Sequence, residues 1–115
     1  MKYVLSIYDD EGAWEQFSPQ EAGAIIDEYG RFSEEARAAG KFVAGEGLEG
    51  SSTATTVRVR DGERLLTDGP FAETKEQLGG FYVLECENLD EALAYAAKIP
   101  AAEHGSIEVR PVWTM

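Results

Sequence analysis

A chain of 115 residues with 43% hydrophobic content is one domain, long enough to bury a core of its own and too apolar to be disordered. Ten basic residues against 22 acidic ones give a net charge of −12, which opposes a phosphate backbone or an anionic membrane surface and favours solubility. Cys86 is the only cysteine, so an internal disulfide is excluded and a reducing, cytoplasmic setting is expected; no Cys/His cluster offers a metal site, and no cofactor is expected. No apolar run approaches the ~20 residues of a membrane helix, and the N-terminus runs into strand-like sequence with no signal-peptide pattern.

Residues 2–8 form the first predicted strand. Val4, Leu5 and Ile7, with two tyrosines, put apolar groups on both faces, as in the middle of a sheet. An acidic loop spans 9–17. Ser18 then caps a helix, with Pro19 at its first position and Glu21 completing a capping box. Ala22, Ile25, Ile26, Tyr29, Phe32 and Ala36 make one apolar stripe, and Gly40 ends the helix in a left-handed cap. Phe42 to Leu48 is a second strand, whose glycines suggest a bulge or an edge. Residues 55–60 alternate with period two, Asp61-Gly62 is a two-residue turn, and Glu63 to Leu66 returns. A loop follows. Gly80 to Cys86 is another central strand, and Asn88 caps a helix with Leu89, Ala92, Leu93, Ala96 and Ala97 on its inner face. Pro100 stops that helix, and Ile107 to Val112 is the last strand.

This order predicts an α+β, ferredoxin-like sheet with both helices on one face. Two strands are apolar on both faces, yet helices cover only one. A second copy packed sheet to sheet is the simplest cover, so a homodimer is expected.

The loop over Thr67-Asp68-Gly69-Pro70-Phe71-Ala72-Glu73-Thr74-Lys75-Glu76-Gln77-Leu78 is long and dense in charge, the kind of segment that carries function. Its Asp-Gly-Pro-Phe core and Glu-x-Lys-Glu tail resemble the signature of the DGPF branch of the YCII-related family. Leu78 to Cys86, Asn88 to Ala92, Ile107 to Val112 and Met1 to Tyr8 are similar to the same family, so the resemblance covers essentially the whole chain. It implies a dimeric α/β barrel of ferredoxin-like subunits. It implies little about activity, since most of the family has no established function and one branch is a dehydrochlorinase of hydroxylated aromatics. Other members are proposed to use a His–Asp pair with the histidine in the first-helix region. The only histidine here is His104, so that pair transfers to no matching position. The family also implies a link to extracytoplasmic-function sigma factors, beside which DGPF proteins tend to be encoded.

Asp68 is the candidate general base; the alternative is an Asx turn, its carboxylate accepting backbone N–H bonds. Phe71 is an anchor in the core or the wall of a pocket. Glu73, Lys75 and Glu76 bind a polar ligand or hold the loop by ion pairs. Tyr8 and Arg110 lie on neighbouring strands and, near Asp68, would form an anion or enolate site; the alternative is a structural pair with an acid such as Glu85. His104 reads as an exposed loop residue and Cys86 as buried packing. Trp14 is placed at a pocket mouth and Trp113 at the dimer contact. Two functions compete. One is a cofactor-independent small-molecule enzyme performing proton transfer, isomerisation or elimination. The other is a non-catalytic ligand-binding or regulatory dimer.

Overall fold

The computed structural model describes residues 1–114. Four strands form one antiparallel sheet, β1 (Lys2–Asp9), β2 (Phe42–Gly47), β5 (Gln77–Glu85) and β6 (Ser106–Pro111), in the order β2-β5-β1-β6. β1 and β2 are therefore parallel with β5 between them, and β5 and β6 are parallel with β1 between them. Each crossover carries one main helix, α2 (Pro19–Ala38) or α3 (Leu89–Ala96). This is the expected ferredoxin-like arrangement.

Strand parity decides where the core lies. Tyr3, Leu5 and Ile7 of β1 and Tyr82 and Leu84 of β5 point to one face. Phe32 and Ala36 of α2, Ala92 and Ala96 of α3, and Ile99 meet them there, so both helices cover the same face. The opposite face carries Val4, Ser6, Tyr8 and Val83, which no helix covers. Phe32 stacks on Tyr82 with ring centroids 4.8 Å apart.

The caps are those the sequence predicts. Ser18 Oγ accepts from Glu21 N–H while the Glu21 carboxylate accepts from Ser18 N–H, and Asn88 Oδ1 accepts from Glu91 N–H. Gly40 takes φ +73° beyond the end of α2. Asp61 and Gly62, at φ +52° and +78°, form the turn between β3 (Thr55–Arg60) and β4 (Glu63–Asp68). That hairpin pairs only with itself and stands apart from the main sheet.

Several expectations are corrected. The acidic 9–17 segment contains a helical turn, α1 (Glu11–Trp14), because Asp10 Oδ1 accepts from Gly12 N–H at 2.9 Å. β5 begins at Gln77, with a bulge opposite Ile7 and Tyr8, so the charged loop is shorter than predicted and Asp68 belongs to a strand. On α2 only Phe32 and Ala36 are fully buried; Ile26 stays 61% exposed because the helix lifts from the sheet there. On α3 the buried pair is Ala92 and Ala96, while Leu89 and Leu93 face outward, since small side chains let this short helix sit close to the sheet.

Candidate functional site

Where α2 lifts from the sheet it leaves a cavity of about 730 Å³, bounded by the ends of β1, β2 and β5 and by α1. Trp14, Tyr29, Phe42 and Tyr82 give it aromatic walls, and Ile7 and Ile26 add aliphatic ones. Charged and polar side chains, among them Asp9, Glu46 and Gln77, share the wall, and a concave apolar surface with convergent polar groups suits a small-molecule site. Trp14, expected at a pocket mouth, is part of this wall and 37% exposed.

Asp9 is the polar centre. It follows Ile7 on the core-facing side of β1, so its side chain turns toward the cavity and is only 13% exposed. Oδ2 lies 3.2 Å from His104 Nε2. A carboxylate only accepts, so Nε2–H of the imidazole donates. Oδ1 is buried and has no hydrogen-bond partner among the described residues. An unpaired buried acceptor is costly, and such a group needs a reason to persist. His104 does not line the cavity; it stands behind Asp9, 40% exposed.

The approach of His104 depends on its neighbour. After α3 the chain turns through a short 3-10 helix, Pro100–Glu103, and Gly105 enters β6 against the end of β1. A Cβ at Gly105 would strike the Tyr8 carbonyl oxygen and lie 3.3 Å from Asp9 Cα. Only glycine lets the two backbones approach this closely, and that approach brings His104 to Asp9.

Two phenols complete the polar set. Tyr82 Oη and Ser33 Oγ share a hydrogen bond of 3.2 Å. Tyr29 has its pKa pushed up to about 12, chiefly by burial; a backbone hydrogen bond with Ala101 opposes this, and the negative charge of Asp9 adds to it. Tyr29 therefore stays a neutral phenol. Glu11 is engaged elsewhere, accepting from Ser51 N–H at 2.6 Å and Ser51 Oγ–H at 2.8 Å.

The YCII-related domain model matches residues 1–115. An uncharacterized protein of Rhizobium meliloti (strain 1021) is 39% identical over 114 residues, covering 97% of this chain and 92% of that one. The chain belongs to the YCII-related family. A solved structure, 5-chloro-2-hydroxyhydroquinone dehydrochlorinase from Burkholderia phenoliruptrix AC1100 in complex with 2,5-dihydroxybenzoquinone, superposes with a TM-score of 0.55 over 99% of this chain and 94% of its own, at 18% identity. At that identity the likeness speaks for the fold alone.

Within this YCII-related fold the structure disperses the residues singled out from sequence. Asp68 is exposed at the end of β4, opposite Thr55, and is not part of the cavity wall. The Gly-Pro corner is held by Gly69 N–H on the Ala54 carbonyl at 2.7 Å and by Thr56 Oγ–H on the Gly69 carbonyl at 2.9 Å, rather than by the Asp68 carboxylate. Phe71 is no core anchor: it is 78% exposed, because the corner carries it away from the sheet. Glu73 and Lys75 are exposed as well, and Glu76 accepts from Ser106 Oγ–H at 2.9 Å.

Tyr8 and Arg110 do lie on neighbouring strands and the same open face, lining a shallow pocket of about 270 Å³ with Val4, Ser6, Glu108 and Pro111. They are not opposed, since Tyr8 pairs with Ser106 and Arg110 with Val4. Both oxygens of Glu108, not Glu85, hold the Arg110 guanidinium at 2.9 Å. Asp68 is not among the residues of that pocket. Cys86 is buried, as expected, and burial first and the nearby Glu91 second raise its thiol pKa. Trp113 is 83% exposed. The Asp9–His104 pair escaped the sequence reading because 95 residues separate its members. Among the described residues, no three His, Cys, Asp or Glu side chains converge as a metal site would require, and no helix is long and apolar enough to cross a membrane.

Proposed function

We propose that this YCII-related protein is a cofactor-independent enzyme that moves a proton on a small organic molecule held in the large cavity, with Asp9 as the general base. The observation that supports this is the division of labour within one carboxylate: Oδ2 is oriented by His104, and Oδ1 is buried, unpartnered and set in an apolar wall. His104 holds this carboxylate beside the cavity, and a small turn of the side chain presents an oxygen to a bound molecule. A substrate C–H bond beside a carbonyl or iminium breaks, its proton goes to Asp9, and its electron pair moves into the adjacent π system. Return of the proton at another carbon completes an isomerisation; loss of a leaving group from the neighbouring carbon completes an elimination. Tyr29 is the phenol placed to donate to a polar substituent, since the Tyr82 hydroxyl proton goes to Ser33 Oγ, whose own proton is on the Tyr29 carbonyl. His104 is a positioning residue, since it reaches Asp9 but not the cavity.

The protein also works as a homodimer in this reading. A two-stranded ribbon is marginal by itself, yet β3–β4 exposes Val57, Val59 and Leu66 at 58%, 62% and 60%. Together with the open face of the sheet these residues form apolar surface that a second copy would cover.

The test is solvent-exchange NMR. Wild-type protein is incubated in D2O with a panel of small carbonyl, phenolic and iminium-forming compounds. Deuterium entering one of them with wild type and not with Asp9→Asn supports the base assignment. Equal exchange with both, or exchange lost in Asp68→Asn instead, would overturn it.

A further inference from the structure

The cavity has a definite charge character. Its acidic groups are Asp9 at the end of β1, Glu11 in α1, Glu15 just after that turn and Glu46 in β2. Arg37 is the basic residue of the wall, and it is spent: its guanidinium is 3.0 Å from Glu34 and stacks 4.3 Å from the Phe42 ring centroid. An anion entering this space would meet the charge of four carboxylates, with no unpaired cation among the lining residues to balance it. Like charge in a low-dielectric wall is strongly repelled.

The aromatic residues point the same way. Trp14, Tyr29, Phe42 and Tyr82 surround the space from α1, α2, β2 and β5. Ring faces are electron-rich and attract cations, most strongly when water is excluded.

We infer that the cavity takes a small organic cation, an ammonium ion or a protonated imine, with its charge facing the Asp9 carboxylate and its carbon framework between the aromatic walls. This deepens the function proposed above and rests on that reading of the cavity. It also suits the chemistry. Proton loss from carbon next to an iminium gives a neutral enamine, so the carboxylates never face a developing anion.

The experiment compares three probes of similar size, benzylamine as its ammonium ion, benzyl alcohol and benzoate, by amide chemical-shift titration of the wild-type protein. The amides of Gly45, Gly47 and Gly79 report cavity occupancy, since all three line it. The cation is expected to bind at least ~10-fold tighter than the alcohol and benzoate weakest of all. Asp9→Asn should abolish the preference. Glu15→Gln, an exposed position that folding does not need, should weaken the cation ~2- to 3-fold and leave the alcohol unchanged. Benzoate or benzyl alcohol binding as well as the cation would overturn the inference while leaving the cavity a ligand site. Absence of cavity shifts with all three probes would overturn both readings.

Discussion

His104 Nε2 lies 3.2 Å from Asp9 Oδ2, and the carboxylate's other oxygen is buried without a partner. The contact joins the end of the first strand to the start of the last, and in the proposed reaction Asp9 meets the ligand while His104 holds Asp9. Asp9→Asn should therefore lower turnover by ~10²–10⁴-fold, the usual contribution of a general base. Its stability should change by no more than about 1 kcal/mol, because the amide keeps an oxygen to accept from His104 and removes a buried charge while leaving one buried polar atom unpaired as before. His104→Ala should cost roughly 10- to 100-fold through misplacement of the base. His104→Gln, which keeps an N–H donor, should recover part of that loss. Turnover beside thermal melts checks this; an Asp9→Asn protein that is active, or His104→Gln no better than His104→Ala, would refute the division of roles.

Gly105 is where packing and site meet. Gly105→Ala puts a methyl group into the backbone of Tyr8 and Asp9, where nothing flexible can yield. A loss of ~1–3 kcal/mol is expected, as for other overpacked sites. The His104 ring should also lose its carboxylate partner, which the imidazole proton shifts in NMR report. A variant with wild-type melting temperature and unshifted imidazole signals would show that the close approach does not hold the pair.

Lys41 Nζ lies 2.7 Å from Glu91 Oε1, fastening the start of β2 to α3. The hydrogen bond with Lys41 lowers the Glu91 pKa, and the same bond raises that of Lys41. Because the folded-state pKa of Glu91 is depressed, its contribution is present above the unfolded value of ~4.3 and is lost as pH falls through the folded one. Lys41 acts in the other direction: its contribution holds below ~10.4 and is lost as pH rises past its raised value. Glu91→Gln should thus melt below wild type at pH 6, and the gap should narrow as pH falls below the unfolded value of ~4.3. A gap that persists unchanged at pH 3 would rule the ion pair out as its cause.

The apolar ribbon predicts the oligomeric state. Light scattering behind size exclusion should give twice the 12.6 kDa chain mass. Val57→Lys with Leu66→Lys, paired positions on one face of the ribbon, should shift it to a monomer at micromolar concentration without loss of helical signal. A monomeric wild type would refute the dimer.

Much of this architecture is legible in the chain because its determinants are local. Ser18-Pro19 with Glu21 closes its capping box within three residues, and Asp61-Gly62 makes its turn from two. The alternation of β1 and β5 identifies them as central strands, since period two records which side chains face the core. Asp68 and Phe71 were misplaced for the same reason: a Gly-Pro corner marks a turn, but the direction in which it sends the chain depends on the Ala54 and Thr56 contacts.

By itself, then, the sequence determined the family, the strand and helix order, the ferredoxin-like sheet and the caps, all of which rest on neighbours in the chain or on periodic burial. Only the tertiary structure decided the site. Asp9 looked like one acid in an acidic loop, and His104 like an exposed loop histidine. Their partnership depends on β6 pairing beside β1 and on the missing side chain of Gly105, a long-range backbone approach that leaves no periodic trace among the residues between them.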